Sequence, residues 1–273
     1  MPILTTSDGT ELYYKDWGAG RPIILIHGWP LNADMWEYQM HYLASNGYRV
    51  IAYDRRGFGR SSQPWRGYDY DTFADDLNEL IEALELRDVM LAGFSMGGGE
   101  VARYIGRYGS KRIAKAALVS AVTPLMIRRD DHPEGMASEI FDGIRAGVLN
   151  DRPDFLDKFG PLFTGSDQEG SAITQPMLDW TLAMGLQASI KATLDSVGAF
   201  SETDFRPDLT RFDIPTLVIH GSGDAVVSFD VTGKAAAALI PGAQFLVYVG
   251  APHALYVTHK DRLNEDLLAF AKS

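Results

Sequence analysis

Gly93-Phe94-Ser95-Met96-Gly97 sets a hydroxyl nucleophile between two glycines. The run follows the apolar stretch Val89-Met90-Leu91-Ala92 and leads into helical spacing at Val101, Tyr104, Ile105 and Tyr108. G-x-S-x-G between a strand and a helix reads as a nucleophile elbow, a turn sharp enough to hold Ser95 Oγ exposed above a sheet. The flanking glycines are required because backbone meets backbone there and a Cβ would clash. The chemistry would be acyl transfer through an ester on Ser95. A serine hydroxyl is a weak nucleophile, so it needs a base in hydrogen-bond reach and a carboxylate to orient that base.

With a serine elbow of this kind the acid follows the nucleophile in sequence and the histidine comes last. Of the six histidines, His41, His132 and His259 lie in helical or polar settings without a motif. His27 and His220 each follow a strand and precede glycine, and read as supporting or packing residues. His253, in Gly250-Ala251-Pro252-His253-Ala254, lies just past the last apolar strand pattern, on the edge where the elbow sits. It is the expected base. Asp224, in the Gly-rich turn His220-Gly221-Ser222-Gly223-Asp224, follows the penultimate strand and is the expected acid. Asp213 and Asp230 compete, but one precedes its strand and the other lies further on.

The tetrahedral intermediate carries an oxyanion that calls for two preorganised N–H donors. Met96, directly after the nucleophile, supplies one backbone N–H; the loop after Ile23–Ile26 supplies the other, and Trp29 is the candidate. Pro30 keeps Trp29 out of the α region and so fixes its N–H and C=O. The glycines of Asp54–Ser61 suggest phosphate binding, but no lysine follows them as a P-loop requires. That run reads as a structural loop, with Asp54 and Arg56 in turn and supporting hydrogen bonds. No histidine–carboxylate cluster has metal-ligand spacing, and no G-x-G-x-x-G opens a helix after a strand. Neither metal nor nucleotide cofactor is expected.

The elements that must position these groups alternate. Ile3–Thr6 and Leu12–Asp16 flank Asp8-Gly9 as a hairpin. Strand patterns recur at 23–26, 48–53, 89–92, 116–120, 216–220 and 245–249, with helical spacing at 72–85 and 262–271. Such alternation predicts an α/β fold with a mainly parallel sheet. From Thr123 to about Arg211 only helical patterns occur, at 138–148, 154–159, 176–186 and 188–197. This stretch reads as a helical cap over the sheet's C-terminal edge, with Pro124 and Pro207 at its base. The expected division is 1–122 and 211–273 for the core and 123–210 for the cap. Val122, Met126, Phe141, Phe159, Phe163, Phe200, Val227 and Leu255, with Pro30, are the candidate pocket residues, suiting a small apolar or aromatic acyl site.

Composition agrees with a globular enzyme. An apolar fraction of 46% over 273 residues supports a substantial core. A formal charge of −11 disfavours nucleic acid as a partner. With no cysteine, disulfides and thiol catalysis are excluded. No signal-like or membrane-spanning apolar run is seen, so a cytoplasmic protein is the expectation.

These residues resemble the cofactor-free bacterial haloperoxidases, also called perhydrolases or aryl esterases, within the α/β-hydrolases. The resemblance runs nearly end to end and is carried by His27-Gly28-Trp29-Pro30-Leu31, Asp34-Met35-Trp36, Tyr53-Asp54-Arg55-Arg56-Gly57-Phe58-Gly59-Arg60-Ser61, Gly93–Gly99 and Asn264-Glu265-Asp266-Leu267-Leu268. It implies an eight-stranded sheet with a helical cap, a homo-oligomer, a Ser95–Asp224–His253 triad, and an oxyanion hole from Trp29 and Met96. It also implies a serine hydrolase whose acyl-enzyme is attacked by hydrogen peroxide as well as water, turning carboxylic acids into peracids. Proline after the oxyanion tryptophan looks like the perhydrolase form of that loop; the physical expectation is that the Trp29 carbonyl accepts a hydrogen bond from peroxide. One departure stands out: relatives carry glycine and an aromatic after the histidine, where this chain has Ala254-Leu255-Tyr256. Competing readings are a dedicated esterase or γ-lactamase with incidental perhydrolysis, and a non-catalytic small-molecule receptor.

Overall fold

The computed structural model describes residues 2–273. Eight strands form one sheet in the order β1-β2-β4-β3-β5-β6-β7-β8. They are β1 (Ile3–Thr5), β2 (Glu11–Gly18), β3 (Arg21–Ile26), β4 (Tyr48–Tyr53), β5 (Val89–Phe94), β6 (Ile113–Val119), β7 (Thr216–Gly221) and β8 (Gln244–Tyr248). β1 pairs antiparallel with β2, and β2 antiparallel with β4; every later pairing is parallel. The parallel strands are apolar without alternation because helices cover both faces: Ile23 to Ile26 and Leu91 to Ala92 are fully buried.

The helices are α1 (Glu37–Ser45), α2 (Tyr70–Ala83), α3 (Met96–Tyr108), α4 (Ser138–Thr164), α5 (Gln175–Leu186), α6 (Ile190–Glu202), α7 (Arg206–Leu209), α8 (Gly233–Leu239), α9 (Leu255–Thr258) and α10 (Lys260–Lys272). α1 and α8 lacked a clear helical stripe in sequence: α1 is rich in polar residues, and α8 is short and alanine-rich. α4 to α7 fill the interval between β6 and β7; α4 packs against α5 and α6, and α7 packs against α3 and α8. The two helical patterns expected at 138–148 and 154–159 are one element kinked at Asp151, whose φ of −157° and ψ of 92° leave the helical region. Before α4 the chain makes isolated bridges, Ile127 with Met136 and Arg129 with His132, which apolar periodicity did not signal. No helix among the described residues is long and apolar enough to cross a membrane.

The sheet order places the site. β3 and β5 are neighbours although β4 lies between them in sequence, so the connections leaving their carboxyl ends diverge. That leaves a crevice at the topological switch point, the place where open α/β sheets bind ligands. The elbow follows β5 and the Trp29 loop follows β3, so both open into this crevice.

Candidate active site

The elbow is built from steric necessity. Ser95 has φ 55° and ψ −119°, a conformation that L-residues rarely adopt. A Cβ at Gly93 would lie 2.2 Å from the Gly97 carbonyl oxygen, and one at Gly97 would lie 2.4 Å from that of Ile26. Both contacts are with backbone and cannot relax, so this turn admits only glycine at the two positions. Ser95 N–H donates to the Val119 carbonyl at 2.9 Å, tying the turn to β6.

Ser95 Oγ lies 3.0 Å from His253 Nε2, and His253 Nδ1 lies 2.6 Å from Asp224 Oδ2. All three side chains are buried or nearly so. Asp224 Oδ1 accepts from the backbone N–H groups of Val226 (2.9 Å) and Val227 (2.8 Å). Burial alone would raise its carboxyl pKa. The nearby charge of His253 and hydrogen bonds from His220 and His253 outweigh burial and hold it well below the usual carboxylate range. The ionised carboxylate therefore holds a proton on His253 Nδ1 and turns Nε2 toward the Ser95 hydroxyl. Asp213 precedes β7 in sequence, and Asp230 is exposed and paired with Lys234, so neither competitor meets the histidine.

His220 serves the same carboxylate. Its Nε2 sits 3.2 Å from Asp224 Oδ2 and 3.1 Å from the Val227 carbonyl, while its Nδ1 is buried without a partner. A donor on Nε2 and a bare Nδ1 fit this setting.

The Trp29 loop lies against the nucleophile. A Cβ at Gly28 would come within 3.0 Å of Ser95 Cβ. Neither the Trp29 nor the Met96 backbone N–H has a partner among the described residues. Met96 opens α3, so its N–H lies at the positive end of the helix dipole. The Trp29 indole is anchored by Nε1–H donating to the Thr193 carbonyl at 2.9 Å. His27 Nδ1–H donates to the Gly28 carbonyl at 2.9 Å and its Nε2 accepts from Arg55 N–H at 3.0 Å. Burial first, and the Arg55 charge second, hold the His27 pKa far below its ordinary value, so the ring stays neutral.

Arg55 is a supporting residue that sequence reasoning missed. Its guanidinium donates to the His27 carbonyl at 3.0 Å and to Glu100 at 2.6 Å, and Tyr53 OH also donates to Glu100. Arg55 and Glu100 are fully buried. Burial pushes Glu100 up and Arg55 down to about 10, each toward its neutral form. The pair joins β4's end to the elbow helix and to the backbone of His27. Tyr70 OH adds a bond to the Met96 carbonyl at 2.9 Å. Asp54 and Arg56 act as the structural loop residues expected: Asp54 accepts from Ala33 N–H at 2.8 Å and from Arg60, and Arg56 pairs with Asp76 at 2.6 Å.

Above Ser95 and His253 lies a cavity of about 320 Å³. Val122, Met126, Phe141, Phe159, Phe163, Phe200 and Val227 line it, with Trp29 at its base. Sequence reasoning did not name Met136, Ile140, Ile144, Phe155 and Leu162 as wall residues, although the i, i+4 stripe Ile140–Ile144 and the Phe155–Phe159 pair carried the signal. Two candidates are corrected. Leu255 is fully buried in the core with Trp36, Phe94 and Tyr256, so it supports the His253 loop from behind and forms no wall. Pro30 lines a second cavity, between α4 and α5, and not the one above Ser95. Among the described residues no cluster of His, Cys, Asp and Glu is arranged to hold a metal.

Comparison with known proteins gives the family and the fold. The family described as "alpha/beta hydrolase fold" matches residues 21–260. The chain is 48% identical to a non-heme chloroperoxidase of Kitasatospora aureofaciens, over 99% of each protein. It is 41% identical to a bifunctional esterase/perhydrolase of Acinetobacter calcoaceticus, over 100% of each. The crystal structure of a bromoperoxidase from Bacillus anthracis superposes with a TM-score of 0.94 at 49% identity, covering 97% of this chain and 96% of that one. A buried serine–histidine–carboxylate relay on this sheet, joined to these end-to-end likenesses, places the chain in the alpha/beta hydrolase fold family, among the non-heme haloperoxidases.

Proposed function

We propose that the protein hydrolyses small carboxylic, including aryl, esters through an acyl-enzyme on Ser95, and that the same intermediate passes its acyl group to hydrogen peroxide. His253 takes the Ser95 proton as Oγ attacks the carbonyl carbon, then gives it to the leaving alcohol. The N–H groups of Trp29 and Met96 stabilise the oxyanion. Water or peroxide then adds to the acyl carbon, its proton passing to His253 Nε2. The carbon–Oγ bond breaks, and Ser95 recovers the proton. The product is a carboxylic acid or a peracid. With an acid as acyl donor, water leaves in the first half-reaction, and a peracid formed in the second oxidises halide without a cofactor.

The observation that carries this reading is the unbroken chain of contacts Ser95–His253–Asp224 at the floor of an apolar cavity. Residues 123–210 act as the cap that shapes this cavity, and the carbonyl of Trp29, held by Pro30, orients the peroxide. A cytoplasmic location, expected from the lack of a signal-like run, and a homo-oligomer, implied by the resemblance, belong to the same proposal; light scattering reads the oligomer. The test is an acyl-ester panel run with and without peroxide on wild type and Ser95→Ala. Ester hydrolysis and peracid formation should both fall about 10³-fold or more in the variant. Retention of most activity would refute the assignment, and negligible turnover by wild type across the panel would favour a receptor.

A further inference from the structure

Resting on the acyl-enzyme reading, we propose that the cleft between α4 and α5 is a separate entrance. Through it a small neutral hydroxylic nucleophile (water, hydrogen peroxide or a short alcohol) reaches acyl-Ser95.

The two cavities differ in chemistry. The one above Ser95 is walled by methionine, phenylalanine and branched aliphatics, and its exposed wall residues Ile140 and Leu162 make an apolar mouth. An acyl group is at home there, and once bound it obstructs that path. The second cavity, of about 190 Å³, is lined by Asp157, Gln175 and Thr181 as well as apolar groups, and its inner wall includes Pro30 and Leu31 of the oxyanion loop. Asp157 and Gln175 are exposed, so the outer end is polar and carries a carboxylate. That charge repels carboxylate anions and leaves neutral hydroxylic molecules free to pass.

Phe159 and Phe163 line both cavities and form the partition between them. Phe159 meets Trp29 edge-on at 6.0 Å, and Phe163 meets the His253 ring at 5.2 Å. The partition thus ends at the oxyanion loop and the general base, the groups between which an attacking oxygen must arrive. Rotation of the partly buried Phe159 ring joins the cleft to the acyl carbon. On arrival, the nucleophile's proton passes to His253 Nε2 as its oxygen bonds the acyl carbon, and that proton goes on to Ser95 as the carbon–Oγ bond breaks.

Two glycines allow the cleft to be narrowed without touching the cavity above Ser95. A Cβ at Gly185 would stand 3.4 Å from both Pro30 Cγ and Leu156 Cδ1, and one at Gly160 would stand 3.7 Å from Leu178 Cδ2. At Gly185 the methyl fits without forcing backbone apart, and alanine favours a helix interior over glycine; at Gly160 the added Cβ also meets the ring of Pro161, so Gly185→Ala alone is run beside the double variant. The experiment is pre-steady-state turnover of p-nitrophenyl acetate by wild type and Gly160→Ala/Gly185→Ala, with water alone, graded peroxide or graded methanol. The acylation burst should keep its rate. Deacylation should slow by about threefold or more for methanol and peroxide, and least for water, as added methyls obstruct larger molecules more. Equal deacylation in wild type and both variants, or a burst slowed in step with it, overturns the separate entrance. If acid-quenched wild type carries no acetyl group on Ser95 by mass spectrometry during turnover and transfers none to methanol or peroxide, the acyl-enzyme reading itself falls, and the entrance with it. If wild type forms no peracid yet transfers acetate to methanol, the methanol series alone decides the entrance.

Discussion

Replacing Asp224 by asparagine tests the relay most sharply, because the surrounding donors dictate how the amide must sit. The two backbone N–H groups of Val226 and Val227 point at Oδ1. The asparagine carbonyl oxygen must take that place, since an NH2 there would face two donors. Its NH2 then occupies the Oδ2 position, opposite His253 Nδ1. To avoid a donor–donor contact, Nδ1 must become the acceptor and the proton must move to Nε2. There it points at Ser95 Oγ, 3.0 Å away, and the histidine can no longer act as base. A wrong tautomer in an otherwise intact site costs about 10⁴ in kcat. That corresponds to about 5.5 kcal/mol of transition-state stabilisation. His220 adds a second effect. Its Nε2–H either crowds the new NH2 or moves its proton to Nδ1, which is buried without a partner. An unsatisfied buried donor costs about 1–3 kcal/mol, so the variant should also be less stable. The assay is phenyl acetate hydrolysis beside urea unfolding of the same preparation. A folded Asp224→Asn protein within about tenfold of wild type, a difference of about 1.4 kcal/mol, would refute the tautomer argument.

Pro30→Leu should lower the ratio of peracid to acid formed from the same acyl-enzyme; an unchanged ratio would remove the Trp29 carbonyl from the account. His27 sets a pH dependence of stability. Its folded pKa is depressed, so the unfolded chain alone takes up a proton below the ordinary value of 6.5. The contribution is complete above that pH and is lost as pH falls toward 5, by at most about 1.4 kcal/mol per unit. Urea unfolding of His27→Gln should show a flatter profile over that range, and a profile as steep as wild type would contradict it. Glu100→Leu strands the buried Arg55 charge and should cost about 3–5 kcal/mol of stability. The double variant Arg55→Met/Glu100→Leu should regain much of it in the same denaturation assay, and no recovery would mean that the pair is not coupled as its contacts indicate.

Ser95, Asp224 and His253 were legible in the linear chain because their constraints are local. A strand, a glycine-enforced turn and a helix leave signatures within ten residues, and the backbone approaches at Gly93 and Gly97 show why glycine was needed. The parallel strands were likewise legible as continuous apolar runs, a direct result of burial on both faces. Their order was not, and it is the adjacency of β3 and β5 that brings the Trp29 loop against the elbow. Arg55 and Glu100 are 45 residues apart, and nothing near either one announces the other. Phe159, Phe163, Pro30 and Leu255 are all apolar residues near the site, equivalent when read as sequence. Packing alone assigned the first two to a shared partition, Pro30 to the side cleft and Leu255 to the core. Local sterics write themselves into residue type and spacing, whereas the neighbour across a cavity or beneath a helix is chosen by how whole elements pack.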